Sequence, residues 1–412
     1  MNYLNKYYVK DLANISIDKK EVYISAKFKP EWFKFPKICL DILDYSFDKQ
    51  ITVGELLELF NDENDKIYFK KILSNLDKIG ILMSKPISNV YVSRLNKVTF
   101  AITNKCNLKC SFCSQNSKID NQEELSFEEI KVIIDKAMIF NPLKIVLTGG
   151  EPMIRNDFFD IVDYIKSNYQ VDIQLCTNGT LIDNFNINKF KNSINAVDLS
   201  LDGFDEPSCS SDRGKGVYEK VVNSIDLLKI IGIHNISASM VVGNHNIDIV
   251  DKFVSFCNSK SIIPIKREFM SIGRGKEAIK YLKDEKDSMF YPDYNKIDKK
   301  IGARTCSTGI TQLYIDHKGD IYPCSLLDSD EYKICSAMDL DNNIVDKVYK
   351  KEMDVYKKLA ELSPLNYHKC EGCKYKLFCN NCIANMKIMI ESDKEFEHNC
   401  QKLKNIYEKC LN

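Results

Sequence analysis

The sequence has no excess of either charge, because 58 Lys and Arg residues balance 58 Asp and Glu residues among 412. Proteins that contact nucleic-acid phosphates usually carry a basic excess, so the balance argues against that class. No apolar run approaches the roughly 20 residues that cross a bilayer. The N-terminus also lacks the apolar core of a signal peptide. We therefore expect a cytoplasmic protein that binds neither nucleic acid nor membrane.

Cysteine, by contrast, is abundant, with 16 residues in the chain. In a reducing compartment, clustered cysteines bind metal more often than they form disulfides. Three cysteines fall within residues 106–113 and nine within 306–410. The pattern therefore predicts metal sites in two parts of the chain. The four isolated cysteines are interpreted as small buried apolar residues: Cys39, Cys176, Cys209 and Cys257.

Strand-like and helical segments alternate between residues 93 and 300. This alternation predicts a parallel sheet covered by helices. Six such units are too few for a closed eight-stranded barrel, so we expect an α/β fold with a partial (β/α)6 barrel. The predicted strands are 97–103, 144–148, 171–177, 196–202, 236–242 and 262–270. Active sites in such sheets lie at the C-terminal strand ends, and the first cysteine cluster follows the first strand.

The segments on either side are predicted to form two further domains. Residues 1–92 contain a strand at 21–29, three helices and a returning strand after Gly80, which favours a small winged-helix-like domain. Residues 1–90 carry 14 Lys, no Arg and 13 Asp or Glu, a net charge of 14 − 13 = +1, unlike the basic face that phosphate contacts need. Residues 301–412 are predicted to contain a hairpin at 311–324, cysteine-rich loops and two short helices.

The spacing of Cys106, Cys110 and Cys113 leaves one ligand position open. Three thiolates can bind three irons of a 4Fe–4S cube, and the fourth iron is then free to bind a cofactor. A structural zinc with a remote fourth ligand is the alternative. The segment resembles the signature of radical S-adenosylmethionine (SAM) enzymes, including the aromatic Phe112. The resemblance implies that SAM binds the open iron and is cleaved to methionine and a 5′-deoxyadenosyl radical, which removes hydrogen from a substrate.

Further segments at predicted strand ends match the same family. The Gly-Gly-Glu-Pro sequence at 149–152 follows the second strand, where glycines allow close backbone approach. The segments CTNGT (176–180), SLDG (200–203) and SDRGKG (211–216) match others that contact SAM. Arg213 would pair with the SAM carboxylate, and Asp202 or Ser200 with the sugar hydroxyls. The SAM-contacting residues implied are Phe112, Gly149, Gly150, Glu151, Asn178, Ser200, Asp202 and Arg213.

The C-terminal cysteines resemble those of the SPASM domain, which holds two auxiliary 4Fe–4S clusters. By this resemblance the outer cluster is bound by Cys370, Cys373, Cys379 and Cys400. The inner cluster is bound by Cys306, Cys324 and Cys382. Its fourth ligand is either Cys335 or a substrate thiolate. Two zinc knuckles are the alternative reading of the CxxC pairs. Three 4Fe–4S clusters and SAM are therefore the expected cofactors.

Residues 1–92 resemble the recognition element of enzymes that modify ribosomally made peptides (RiPPs). Such an element binds a leader peptide as an added strand, and a purely structural cap is the alternative. Together the resemblances imply a radical SAM/SPASM peptide maturase that forms a thioether cross-link. Other possibilities are a carbon–carbon cross-link, formylglycine formation of the anaerobic sulfatase-maturase type, or a non-catalytic metal-stabilised binding module. The expected partners are a precursor peptide and a flavodoxin- or ferredoxin-type electron donor.

Overall fold

The computed structural model describes residues 3–27, 29–86, 94–120, 124–282, 302–303, 306–379 and 382–411. The chain divides into two compact units. The terminal unit comprises Met1–Tyr91, Asp293–Ser307 and Lys357–Asn412, and the central unit comprises Val92–Pro292 and Thr308–Tyr356. The predicted domain boundaries at 92/93 and 300/301 lie outside the described residues, so the three-domain division stays a prediction.

The described residues in the N-terminal part of the terminal unit form two small antiparallel sheets and three α-helices. The strands are β1 (Tyr7–Tyr8), β2 (Ala13–Asp18), β3 (Glu21–Ala26), β4 (Trp32–Pro36) and β5 (Leu82–Met83). The helices are α1 (Lys37–Asp48), α2 (Val53–Glu58) and α3 (Glu63–Ile79). Strand β3 lies between β2 and β4, and β1 pairs with β5. Helix α3 begins after the capping side chain of Asp62 and ends at Gly80, whose φ is 84°. The winged-helix assignment stays a prediction.

The central unit is built on one parallel sheet. Its six strands are β6 (Lys97–Ala101), β7 (Lys144–Thr148), β8 (Asp172–Thr177), β9 (Ala196–Ser200), β10 (Ile236–Val242) and β11 (Ile263–Glu268). They lie side by side in chain order. The helices between them are α4 (Phe127–Met138), α5 (Phe158–Asn168), α6 (Glu206–Arg213), α7 (Val217–Ile230) and α8 (Val250–Ser259). The predicted parallel sheet of six strands is confirmed. The strand–helix alternation is incomplete, because the β8–β9 connection contains only the short 3-10 helix Ile187–Phe190 and no α-helix directly follows β11 among the described residues.

Three more strands extend this sheet beyond β6. They are β12 (Gln312–Ile315), β13 (Asp320–Tyr322) and β14 (Cys335–Ser336). Strand β12 is parallel to β6, and β12 and β13 form the predicted hairpin. Its turn contains Gly319 with φ 85°, a conformation that glycine adopts without strain. This pairing ties the segment after residue 307 to the first strand of the parallel sheet.

The prediction of two short helices after the hairpin is wrong. The described residues contain four there: α9 (Asn342–Lys350), α10 (Asp354–Glu361), α11 (Ile383–Met389) and α12 (Asp393–Leu411). Helix α12 is 19 residues long, and its buried face includes Phe396, Leu403 and Tyr407. These apolar residues are separated by seven and four positions, which is helical spacing, but numerous charged residues surround them. No helix among the described residues is long and apolar enough to span a membrane.

Candidate active site

The loop after β6 brings its three cysteines to one cavity. Cys106, Cys110 and Cys113 line a cavity of about 410 Å³ at the C-terminal ends of the parallel strands. The loop is closed by hydrogen bonds from the Cys106 N–H to the Lys118 carbonyl (3.2 Å) and from the Cys113 N–H to the Cys110 carbonyl (3.3 Å). We call this the three-cysteine site. The cavity leaves space beside the thiols that a ligand could fill.

Gly149 and Gly150 fit this loop because neither has a side chain. A Cβ atom at Gly149 would lie 2.1 Å from the Thr103 carbonyl oxygen, and one at Gly150 would lie 2.2 Å from that of Lys105. The Gly150 N–H donates to the Thr103 carbonyl at 3.0 Å. Gly149 also has φ 147°, which disfavours other residues. Both glycines line the cavity, so bare backbone faces the space next to the cysteines.

Glu151 is fully buried and acts as an anchor between two strand ends. Its carboxylate accepts hydrogen bonds from the Thr177 hydroxyl (2.7 Å), the Asn178 N–H (2.7 Å) and the Met153 N–H (3.2 Å). Burial raises the pKa of this carboxyl. Its two oxygens are thus engaged by the protein, and a direct SAM contact by Glu151 stays a prediction.

Arg213 and Asp202 form a buried ion pair beside the cysteines. The guanidinium lies 3.7 Å from the Cys110 sulfur and 5.2 Å from the centre of the Phe112 ring. Asp202 also accepts a hydrogen bond from the Val241 N–H. Arg213 lines the cavity, whereas the Asp202 side chain is fully buried and engaged by these two donors. Asp202 therefore orients Arg213, and a sugar contact by Asp202 stays a prediction.

The other predicted SAM contacts also border the cavity. Asn178 donates to the Asn107 side chain at 2.8 Å, which connects the end of β8 to the cysteine loop. The Phe112 ring centre lies 5.5 Å from that of Tyr281. The predicted contacts that line the cavity are Phe112, Gly149, Gly150, Asn178, Ser200 and Arg213.

Burial favours the protonated form of the Cys106 and Cys110 thiols in the metal-free protein. It raises the pKa of Cys106 to about 11. It also raises the pKa of Cys110, and the Arg213 guanidinium partly offsets that effect. Because a thiolate is the form that ligates metal, binding at this site must release protons.

Sequence reasoning missed several residues of this cavity. Cys176, interpreted as an isolated apolar residue, lines it together with Arg267 and Arg274. Arg267 donates to the buried Asp198 carboxylate at 2.7 Å. Arg274 follows β11 in the sequence GRGKE, and its position just beyond a strand end was the available signal.

The outer-cluster cysteines also come together, in the terminal unit. Cys370, Cys373, Cys379 and Cys400 line one small cavity, which we call the four-cysteine site. Burial raises the pKa of Cys370 to about 11. Lys376 and Lys404 line the same cavity, and both lower the pKa of that thiol against the effect of burial.

Strands β2 to β4, which we call the N-terminal sheet, cover one side of this cysteine segment. The Ser16 hydroxyl lies 3.2 Å from the carbonyl oxygens of Cys373 and Lys374. The Phe378 ring, only 2% exposed, lies 4.8 Å from Trp32 and 5.9 Å from Tyr23, measured between ring centres. The N-terminal sheet and the segment that supplies three of the four cysteines therefore share one packed interior.

The inner-cluster residues are not brought together within one unit. Cys306 and Cys382 belong to the terminal unit, and Cys324 and Cys335 belong to the central unit. That ligand set stays a prediction. Among the described residues, no three His, Cys, Asp or Glu side chains are grouped so that they could hold a single metal ion.

Residues 100–257 match the family model described as the Radical SAM superfamily. These residues hold the three-cysteine loop, the Gly149–Gly150 segment and Arg213. This part of the chain is therefore similar to a radical SAM domain, which supports an enzyme. The family implies a 4Fe–4S cluster and SAM as cofactors. The cradle formed by Gly149 and Gly150, together with three thiols around an open cavity, fits them.

Two curated relatives are similar over this region. The probable GTP 3′,8-cyclase of Sulfolobus acidocaldarius is 29% identical over 194 residues, which cover 47% of this chain and 62% of the relative. The chain thus spans less than two thirds of that relative's length. The mycofactocin maturase MftC of Mycolicibacterium smegmatis is 27% identical over 257 residues, which cover 57% of this chain and 65% of the relative.

The fold is similar to that of a solved structure over nearly the whole chain. SuiB of Streptococcus suis superimposes with a TM-score of 0.53 and 17% identity, covering 93% of this chain and 97% of SuiB. SuiB has been solved bound to S-adenosylmethionine and, separately, to the precursor peptide SuiA. At this identity the likeness concerns the fold alone.

Proposed function

We propose that this enzyme is a radical SAM maturase that modifies a ribosomally made precursor peptide. The modification that we propose is a thioether cross-link. The observation that carries the proposal is the three-cysteine site, where three thiols border an open cavity next to bare glycine backbone. A peptide substrate is favoured by the fold, which SuiB, solved with its precursor peptide, shares over 94% of this chain. The mycofactocin maturase MftC is in addition similar in sequence over 57% of this chain.

The residues at the three-cysteine site would have separate roles. Cys106, Cys110 and Cys113 would ligate three irons, and backbone at Gly149 and Gly150 would approach the methionine part of SAM. Arg213, held by Asp202, offers a fixed cation for its carboxylate. When bound, the cluster and SAM supply a 5′-deoxyadenosyl radical that removes one hydrogen atom from the peptide.

Thioether formation also needs an electron acceptor. Joining sulfur to carbon removes a hydrogen atom from carbon and a proton from the thiol, and one further electron must leave. We propose auxiliary 4Fe–4S clusters for that role, with the four-cysteine site holding the outer one. The inner one would use Cys306, Cys324 and Cys382, completed by Cys335 or by the substrate thiolate. A flavodoxin- or ferredoxin-type donor would reduce the SAM-binding cluster.

The N-terminal sheet is proposed to recognise the leader peptide. Strands β2 and β4 are the outer strands of their sheet, and an extended leader could add to such an edge through backbone hydrogen bonds. The near-zero charge of residues 1–90 predicts binding with little salt dependence, unlike binding to DNA.

The first test is to incubate the anaerobically reconstituted enzyme with SAM and dithionite. We expect methionine and 5′-deoxyadenosine, and a protein that makes neither would instead be a metal-stabilised binding module. The second test is co-expression with a short cysteine-bearing peptide encoded beside the gene, followed by mass spectrometry. A thioether lowers the peptide mass by two hydrogens and removes one alkylatable thiol. A peptide that loses two hydrogens but keeps every thiol would indicate a carbon–carbon cross-link.

A further inference from the structure

The segment after β11, residues 269–282, contacts the cysteine loop at several points. We call it the closing segment. The loop follows β6, so the two segments follow the first and the last of the six strands β6–β11. The Tyr281 ring is stacked on Phe269 at 4.5 Å and lies 5.5 Å from Phe112 in the loop. Tyr281 is fully buried, so this contact is part of the packed interior.

Arg274 makes most of the polar contacts between the closing segment and the loop. Its backbone N–H donates to the Cys113 carbonyl at 3.0 Å. Its guanidinium donates to the Cys110 carbonyl at 3.0 Å, to the Ser117 carbonyl at 2.8 Å and to the Asn116 side chain at 3.3 Å. One residue thus holds the carbonyl groups of two of the three cysteines.

Gly273 lets the two backbones come this close. A Cβ atom there would lie 2.4 Å from the Ser114 carbonyl oxygen and 2.5 Å from that of Cys113. Gly273 also has φ 57°, where other residues are disfavoured. Any side chain at this position would push the closing segment away from the loop and stretch the contacts of Arg274.

We propose that Arg274 is a positioning residue, which holds the cysteine loop in the conformation that binds its iron–sulfur cluster. Gly273 allows the close backbone approach that the Arg274 contacts need. Loops are ordinarily the most mobile parts of a fold, and a cluster needs its thiolates at fixed separations. Partners that orient metal ligands affect metal affinity by on the order of 10- to 100-fold when they are removed. Arg274 also places a positive charge beside the ligand backbone, which favours the reduced, more negative cluster.

The inference rests on the proposed cluster at Cys106, Cys110 and Cys113, and the experiment separates the two. Wild type, Arg274→Gln and Arg274→Lys are reconstituted anaerobically, and iron release to a chelator is followed over time. Each cluster should release its iron in its own kinetic phase. The phase that is absent from the Cys106→Ala/Cys110→Ala/Cys113→Ala variant belongs to the three-cysteine site. The control is Arg94→Gln, because Arg94 likewise donates to backbone carbonyls, those of Asn141 and Pro142, but precedes β6 rather than following it.

We expect Arg274→Gln to speed this phase about 10- to 100-fold and Arg94→Gln to leave it unchanged. Arg274→Lys should also speed it, because an ammonium lacks the fork that reaches three acceptors. The midpoint potential of the same cluster should fall in Arg274→Gln and change less in Arg274→Lys. The spectral change on adding SAM identifies this cluster in the titration. If Arg274→Gln is insoluble, Gly273→Ala should reproduce the faster release.

An unchanged release rate and potential in Arg274→Gln would overturn the proposal, as would an equal effect of Arg94→Gln. A different result would reject the cluster site itself. If the triple cysteine variant shows the same release phases and iron content as wild type, Cys106, Cys110 and Cys113 do not bind the cluster.

Discussion

The three-cysteine site and the four-cysteine site differ in the room that they leave. Three thiols border a cavity of about 410 Å³ with glycine backbone and Arg213 on its walls. Four thiols surround a small cavity lined mainly by their own neighbours, including Leu403 and Tyr407. A site with a missing thiolate and open space suits a cofactor or substrate, whereas a site with a full ligand set suits electron transfer or structural support. The difference lies in the surroundings as much as in the number of cysteines.

The strongest test of this comparison is to remove each set of thiols separately. Anaerobic reconstitution should give roughly twelve irons per chain, the total for three 4Fe–4S clusters. Changing Cys106, Cys110 and Cys113 to Ala should leave about eight and abolish SAM cleavage, measured as 5′-deoxyadenosine. Changing the four outer cysteines should also leave about eight but spare SAM cleavage in the absence of peptide. Equal loss of SAM cleavage in both variants would contradict the division of roles.

The second prediction concerns the support of the four-cysteine site by the N-terminal sheet. Phe378→Ala removes a buried ring that packs against Tyr23 and Trp32, which should cost about 3–5 kcal/mol in the free energy of unfolding. It should also lower iron retention at the neighbouring cysteines. Phe185→Ala is the matched control, because that ring is 95% exposed and its loss should change stability by less than about 0.5 kcal/mol. Chemical denaturation and iron analysis measure both effects.

This packing also changes how leader recognition should be tested. Deleting residues 1–92 would expose Phe378 and remove the Ser16 contacts. A truncated enzyme could then lose activity either because the leader is not recognised or because the four-cysteine site is disrupted. A proline placed in the paired stretch of the leader leaves the enzyme intact and removes one backbone donor. We expect that leader to bind more weakly, with SAM cleavage in the absence of peptide unaffected.

Arg213→Lys should weaken SAM binding without leaving Asp202 unpaired. Lysine keeps the charge that faces the buried carboxylate but loses the bidentate fork. We expect SAM affinity to fall about tenfold, equivalent to about 1.4 kcal/mol, in equilibrium binding to the reconstituted enzyme. Arg94→Lys should bind SAM like wild type. Unchanged SAM affinity in Arg213→Lys would show that Arg213 does not bind the SAM carboxylate.

A further prediction concerns pH dependence. The pKa of Cys106 is raised to about 11 in the folded metal-free protein from an ordinary value of 9.0. The unfolded chain therefore loses this proton first, and the contribution of Cys106 to stability, full below pH 9, declines as pH rises towards 11. Thermal unfolding of the metal-free protein across this range measures it. Cys106→Ser should show a shallower decline.

The sequence predicted the parallel sheet well because each strand and each helix carries its own local pattern. Helix α4 illustrates this, since it begins with a capping box between Ser126 and Glu129, a spacing that can be read from the sequence alone. The roles of Glu151 and Asp202 were harder to assign, because a carboxylate at a strand end looks the same in sequence whether it binds a ligand or holds another loop. Arg274 was missed for a related reason. Most of its acceptors are backbone carbonyls roughly 160 residues earlier, and backbone carbonyls leave no signature in a sequence.

Trp32 is the one tryptophan in the chain, and its ring lies 4.8 Å from that of Phe378, which directly precedes Cys379. The protein thus carries a built-in optical probe at the boundary between the N-terminal sheet and the four-cysteine site. Iron–sulfur clusters absorb in the range where tryptophan emits, so its fluorescence should be quenched as iron enters this site. The same signal would also register a peptide that adds to β4. One spectroscopic channel could then follow both events in the unlabelled enzyme.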